Sequence, residues 1–156
     1  MRFADALDRR GEEIERPPLI PVGTYIWTVT KPPELDTIAD GRFDVVDFTL
    51  RCVQQCDDVD PDSISEFEAK AGQVAGKVRR LRFLFNTEDE GAFNNTEFRM
   101  KSFIENHLGV SMEGKTWKET FADVVGNQCQ AEIRWRPDPK DPEIMYDELG
   151  RTSPVA

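Results

Sequence analysis

Residues 77–86, KVRRLRFLFN, alternate two kinds of side chain, with Leu81, Phe83 and Phe85 on one side and Arg80, Arg82 and Leu84 on the other. A period of two marks a strand with one buried face. Here the opposite face is basic, because Lys77, Arg79, Arg80 and Arg82 fall within six residues. What lies on either side of this strand decides the fold.

Upstream, residues 22–31 (VGTYIWTVTK) are rich in β-branched and aromatic residues and are bounded by Pro21 and by Pro32-Pro33, which predicts a first strand. A loop over 31–41 leads to residues 43–54, where Val46, Phe48, Leu50 and Cys52 alternate with Val45, Asp47, Thr49 and Arg51. That is a second, half-buried strand. Residues 56–68 carry Asp57, Asp58, Asp60, Asp62, Glu66 and Glu68 without a basic residue and are expected to be an exposed acidic insertion. Downstream of the third strand the spacing turns helical over 94–108. Met100, Phe103, Ile104, His107 and Leu108 form one stripe there, and Gly109 stands as the stop. A shorter helical piece over 116–125 groups Trp117, Phe121, Val124 and Val125. Alternation returns in residues 128–135, a three-proline loop follows (RPDPKDP, 136–142), and 143–149 is the last strand.

Three strands, a helical segment and two more strands make a mainly β chain with a helical insertion. The expected architecture is a five-stranded OB-fold barrel with its helix between strands three and four. An open sheet capped by two helices is the competing α+β arrangement. Residues 21–150 form the domain, flanked by a flexible N-terminal arm over 1–20 and a flexible tail over 151–156.

Composition bounds the function. The 156 residues include 30 acidic and 20 basic side chains, a formal charge of −10, and 38% hydrophobic residues, enough for one core. No apolar run approaches the roughly 20 residues of a membrane helix, and the first ten residues lack a signal-peptide core, so a cytoplasmic chain without a membrane partner is expected. Three cysteines, Cys52, Cys56 and Cys129, point to reduced thiols.

Catalytic chemistry finds little material. His107 is the only histidine and sits on an apolar stripe, where packing or capping is its ordinary role. Cys52 and Cys56 have no second pair for zinc, and Gly72-x-x-x-Gly76-Lys77 lacks the hydroxyl that follows the lysine of a phosphate loop. The DDVDPD run lacks the glycine and terminal glutamate of a calcium loop. No enzyme activity, cofactor or metal is expected.

The basic strand is different. With Leu81, Phe83 and Phe85 facing the core, Arg80 and Arg82 project beside Phe43, Thr49 and Arg51 of strand two. Arginines beside an exposed aromatic hold phosphates while the ring stacks a base, whatever its identity. The alternative is that these arginines pair with the chain's own carboxylates, such as Asp44 or Asp47. Arg134, Arg136 and Lys140 form a second basic cluster at the loop that flanks the groove of an OB barrel. Tyr25 and Trp135 are read as core, and Trp27 as either core or stacking platform. The candidate nucleic-acid-binding set is therefore Trp27, Phe43, Arg51, Lys77, Arg79, Arg80, Arg82, Arg134, Arg136 and Lys140.

Pro21-x-Gly23-x-Tyr25, Gly76-Lys77-Val78, Leu108-Gly109 and Gly126 carry a resemblance. Over about residues 20–150 the chain resembles the small OB-fold single-stranded-DNA-binding proteins of tailed bacteriophages. The resemblance implies sequence-tolerant strand binding in replication or recombination, in a host cytoplasm and without enzymatic activity. Its implied partners are single-stranded DNA, replication or recombination proteins and further copies of the chain. The tail holds only Glu143, Asp147 and Glu148, fewer acids than the partner-recruiting tails of many such proteins. A rival from another class is an acidic protein that mimics nucleic acid and inhibits a DNA-binding enzyme of the host. Arginines neutralised in internal pairs favour mimicry, and arginines gathered in an open groove favour strand binding.

Overall fold

The computed structural model describes residues 2–156; Met1, the first residue of the expected arm, lies outside the described residues. Six strands follow in order: β1 (Gly23–Val29), β2 (Glu34–Ile38), β3 (Phe43–Gln55), β4 (Val78–Asn86), β5 (Gln128–Pro137) and β6 (Met145–Ser153). Helix α1 (Pro61–Ala71) joins β3 to β4. Helix α2 (Glu90–Ser102), a π turn (Phe103–His107) and α3 (Trp117–Asp123) join β4 to β5. Every strand pairing is antiparallel.

The long β3 organises the sheet. One of its edges takes β2 along residues 43–47 and β1 along 50–55, and the other takes β4 along 43–51. From β1 the sheet continues through β5 to β6. It remains open: β4 and β6 each pair along one edge, and their other edges approach one another without a ladder. Arg79 spans that seam to Asp147.

The alternation read in β3 and β4 holds for the core face, but Val45 and Asp47 on the opposite face of β3 are buried as well. Val46, Phe48, Leu50, Cys52, Phe83 and Phe85 are buried, and the stripe Met100, Phe103, Ile104 and Leu108 packs with them. Phe48 sits edge-on to Phe83, Phe103 and Phe121 at 5.7, 5.3 and 6.2 Å, spacings at which ring quadrupoles attract.

Five expectations change. The loop over 31–41 contains strand β2, whose residues are almost all exposed and leave no hydrophobic alternation to read. Its hairpin turns through Ala39 and Asp40, both left-handed, and Gly41. The acidic insertion is not a loop: Asp60 caps α1 by accepting the Ser63 N–H at 3.3 Å, and Val59, Ile64 and Phe67 enter the core. The arm over 1–20 ends in structure, since Ile20 is fully buried and its N–H donates to Asp147 at 2.9 Å. Strand β6 runs three residues into the expected tail. Trp135 is 44% exposed rather than core, held at its edge by an indole N–H donated to the Ile20 carbonyl at 2.7 Å.

Candidate nucleic-acid interface

The outer face of β3 and β4 is assembled by register. Arg82 stands opposite Asp47, Arg80 opposite Thr49, and Val78 opposite Arg51. Nε and Nη2 of Arg82 donate to the two carboxylate oxygens of Asp47 at 2.8 and 3.1 Å, and Arg80 lies 3.7 Å from the same group. This bidentate hydrogen bond raises the Arg82 pKa further. Two guanidiniums thus share one carboxylate that is 7% exposed. Directly opposed charges on a strand pair attract, and Asp36 on β2 adds a more distant negative charge beside Arg82, but only Asp47 is in ion-pair contact with the two cations. The Arg80 side chain remains 63% exposed, and Arg51, also exposed, is in no ion pair among the described residues. Lys31, Thr49, Val78, Arg79 and Arg80 line an open cleft of about 490 Å³ on this side.

The other candidates divide. Arg79 is occupied: Nε and Nη2 donate to Asp147 at 2.5 and 2.9 Å. Burial pushes the Asp147 carboxyl upward, but the Arg79 fork and the Ile20 N–H outweigh it and hold the group below the ordinary carboxylate range. Lys77 donates to the Ala71 carbonyl at 2.8 Å and stands 5.9 Å over the Phe67 ring, so it ties α1 to the sheet. Arg134 and Arg136 both donate to Glu148 at 2.9 Å, repeating on β5–β6 the arrangement of two arginines on one acid. Lys140 is exposed in the loop before β6.

Of the aromatics, Phe43 is half-buried at the start of β3. Trp27 is fully buried and donates its indole N–H to the Ala131 carbonyl at 3.1 Å. It is a core residue, which removes it as a stacking platform.

His107 packs edge-on to Phe103 at 6.2 Å, and its Nδ1 lies 2.7 Å from the Thr152 hydroxyl; burial lowers its pKa. Burial pushes the thiols of Cys52 and Cys129 up to about 12, so neither is a ready nucleophile. Among the described residues no group of three or more His, Cys, Asp or Glu could hold a metal ion, and no helix is long and apolar enough to cross a membrane.

Sequence reasoning passed over Tyr146, which is 39% exposed beside Arg136 and beneath the Arg16 guanidinium at 4.9 Å. It also passed over Phe98, Arg99 and Arg151. The adjacent Phe98 and Arg99 are the legible signal, an aromatic and a cation on the solvent side of a helix whose core stripe is elsewhere.

The site belongs to the class of open β-sheet surfaces on which arginines outnumber the acids that hold them. No protein-family model matches this chain, and no curated protein shows significant similarity to it.

Proposed function

We propose that this chain is a sequence-tolerant single-stranded-DNA-binding protein. It protects exposed strands during phage DNA replication or recombination, in the cytoplasm of the host, and has no enzymatic role. The strand lies on the β3–β4 face, where Arg80, Arg82 and Arg51 meet its phosphates. The observation that carries this is the two-to-one ratio of arginine to carboxylate in contact at Asp47: the acid orients both guanidiniums, Asp36 adds a more distant negative charge beside Arg82, and the exposed Arg80 and Arg51 are left for a phosphate. Without β2 the strands run β4-β3-β1-β5-β6. That is the neighbour order of an OB barrel, which would need only a β4–β6 pairing to close at a seam that Arg79 and Asp147 already bridge. In such a barrel this face carries the ligand.

Fluorescence anisotropy of labelled oligo-dT tests the assignment with the Arg51→Ala/Arg80→Ala double variant. Binding weakened about tenfold or more is expected from the loss of two phosphate contacts. Affinity within twofold of the unaltered chain would remove the face from the account.

One observation favours the second reading, an acidic mimic of nucleic acid. Arg79, Arg80, Arg82, Arg134 and Arg136 all have carboxylate partners in a chain of net charge −10. A mimic binds no oligo-dT even at low salt.

A further inference from the structure

A cleft of about 370 Å³ opens where the unpaired edges of β4 and β6 face each other under the end of α2. Leu81, Arg82 and Phe83 line it from β4, and Gly150, Arg151 and Thr152 from β6. Phe98, Arg99, Ser102 and His107 close it from the helix and π turn. Three arginines and no carboxylate form this wall, in a protein with 30 acidic residues.

The contrast with the other basic clusters carries the inference. On β3–β4 and on β5–β6 each arginine pair is held by an acid. In the cleft only Arg82 is so held. Arg99 donates to the Thr96 hydroxyl at 3.3 Å, and neither Arg99 nor Arg151 is in an ion pair among the described residues. Glu132 accepts the Arg151 backbone N–H at 3.1 Å at the edge of the cleft but forms no ion pair with its guanidinium; like charges held near one another repel, and a bound anion relieves that repulsion. Beside them Phe98 is 68% exposed, a large apolar ring with no cover.

Two local irregularities converge here. Between the pairs Ala131↔Thr152 and Ile133↔Leu149, β6 has one residue more than β5. This bulge at Gly150 and Arg151 breaks the alternation, and Arg151 lines the cleft. Bulges re-aim side chains in this way. The helix ends in a π turn, a rare form often found at functional sites, and the same cleft is lined by Ser102 before it and His107 at its end.

We infer that the seam cleft is a nucleotide site, in which Arg99 and Arg151 hold a phosphate and Phe98 stacks the base. The ligand chemistry is a base joined to a phosphate, supplied by one unit of a single strand or by a free nucleotide. As a strand site it extends the proposed function, carrying the strand from the β3–β4 face past Arg82 to the seam. As a free-nucleotide site it stands without that function.

The test uses the full chain with labelled oligo-dT by anisotropy, and with thymidine monophosphate, thymidine and inorganic phosphate by calorimetry. The Arg99→Ala/Arg151→Ala variant should weaken oligo-dT binding about tenfold or more. It should also flatten the salt dependence by roughly 0.7 per lost phosphate contact. The Arg99→Lys/Arg151→Lys variant should restore most of the salt slope, and Phe98→Ala should weaken binding without changing it. Unchanged thermal midpoints would show that these exposed positions leave the fold intact. If Arg99→Ala/Arg151→Ala binds like the unaltered chain while Arg51→Ala/Arg80→Ala does not, the seam site is overturned and the strand-binding face stands. If no strand binds but thymidine monophosphate does, and the seam variant loses it, the strand function falls and the nucleotide site stands. Inorganic phosphate competing as well as the nucleotide, with Phe98→Ala silent, would overturn the nucleotide assignment.

Discussion

Asp47 is the residue on which the proposed face turns. It is nearly buried, and it holds Arg82 by two hydrogen bonds and Arg80 by a longer contact. Asp47→Asn keeps the shape and removes the charge. Folding should weaken by about 1.5–3 kcal/mol, the usual worth of a hydrogen bond to a charged group. Oligo-dT should bind several-fold tighter, because both guanidiniums then lack the carboxylate in contact with them. Looser or unchanged binding would mean that phosphates do not visit Arg80 and Arg82. Asp147 gives a prediction in pH. Its folded pKa lies below the ordinary carboxylate value of about 3.9. The stabilisation is therefore complete above that value and lost as pH falls through the folded one. Urea unfolding of the unaltered chain and Asp147→Asn should differ by about 3 kcal/mol at neutral pH, as for other broken buried pairs. The two curves should converge below pH 4, whereas a constant gap would show that the carboxylate charge is not the cause.

At the scale of elements, α1 shows how acidic surface and apolar core share one segment. Val59, Ile64 and Phe67 are buried while Asp57, Asp62 and Glu66 remain exposed. Phe67→Ala should cost about 3–5 kcal/mol of stability by chemical denaturation. Asp57→Asn, Asp62→Asn and Glu66→Gln together should change it by less than about 1 kcal/mol, and the reverse order would refute this placement. In the sequence the surrounding carboxylates masked Val59, just before α1, and the two core residues Ile64 and Phe67 that α1 spaces three apart. β3 and β4 were legible because Val46, Phe48, Leu50 and Cys52, and then Leu81, Phe83 and Phe85, recur at every second position, although Val45 and Leu84 interrupt the polar face. β2 was not, because it is held by backbone pairing to β3 and buries almost nothing, so no side-chain period records it. Trp27 shows the limit at the site: alternation placed it on one face or the other, and only the pairing of β1 with both β3 and β5 puts that face inside. The seam cleft was beyond sequence reasoning, since it joins residues from Leu81 to Thr152 through a bulge and a π turn that leave no periodic trace.

At the scale of the molecule, a chain of formal charge −10 binds a polyanion only if local charge prevails over the sum. Screening makes this possible, because at physiological salt a charge acts over about 8 Å. The face at Asp47 and the seam at Arg99 and Arg151 both carry surplus cations, and they share Arg82. Neutralising phosphates there releases counterions, which fixes the form of the salt dependence. The most direct measurement is the affinity of the unaltered protein for labelled oligo-dT across a series of salt concentrations, with duplex DNA as competitor. Binding should fall steeply and linearly on logarithmic axes, with a slope of roughly 0.7 per phosphate contact, and duplex should fail to displace the strand. A flat salt response, or no binding at low salt, would contradict the proposed strand binding and leave the acidic mimic as the better description.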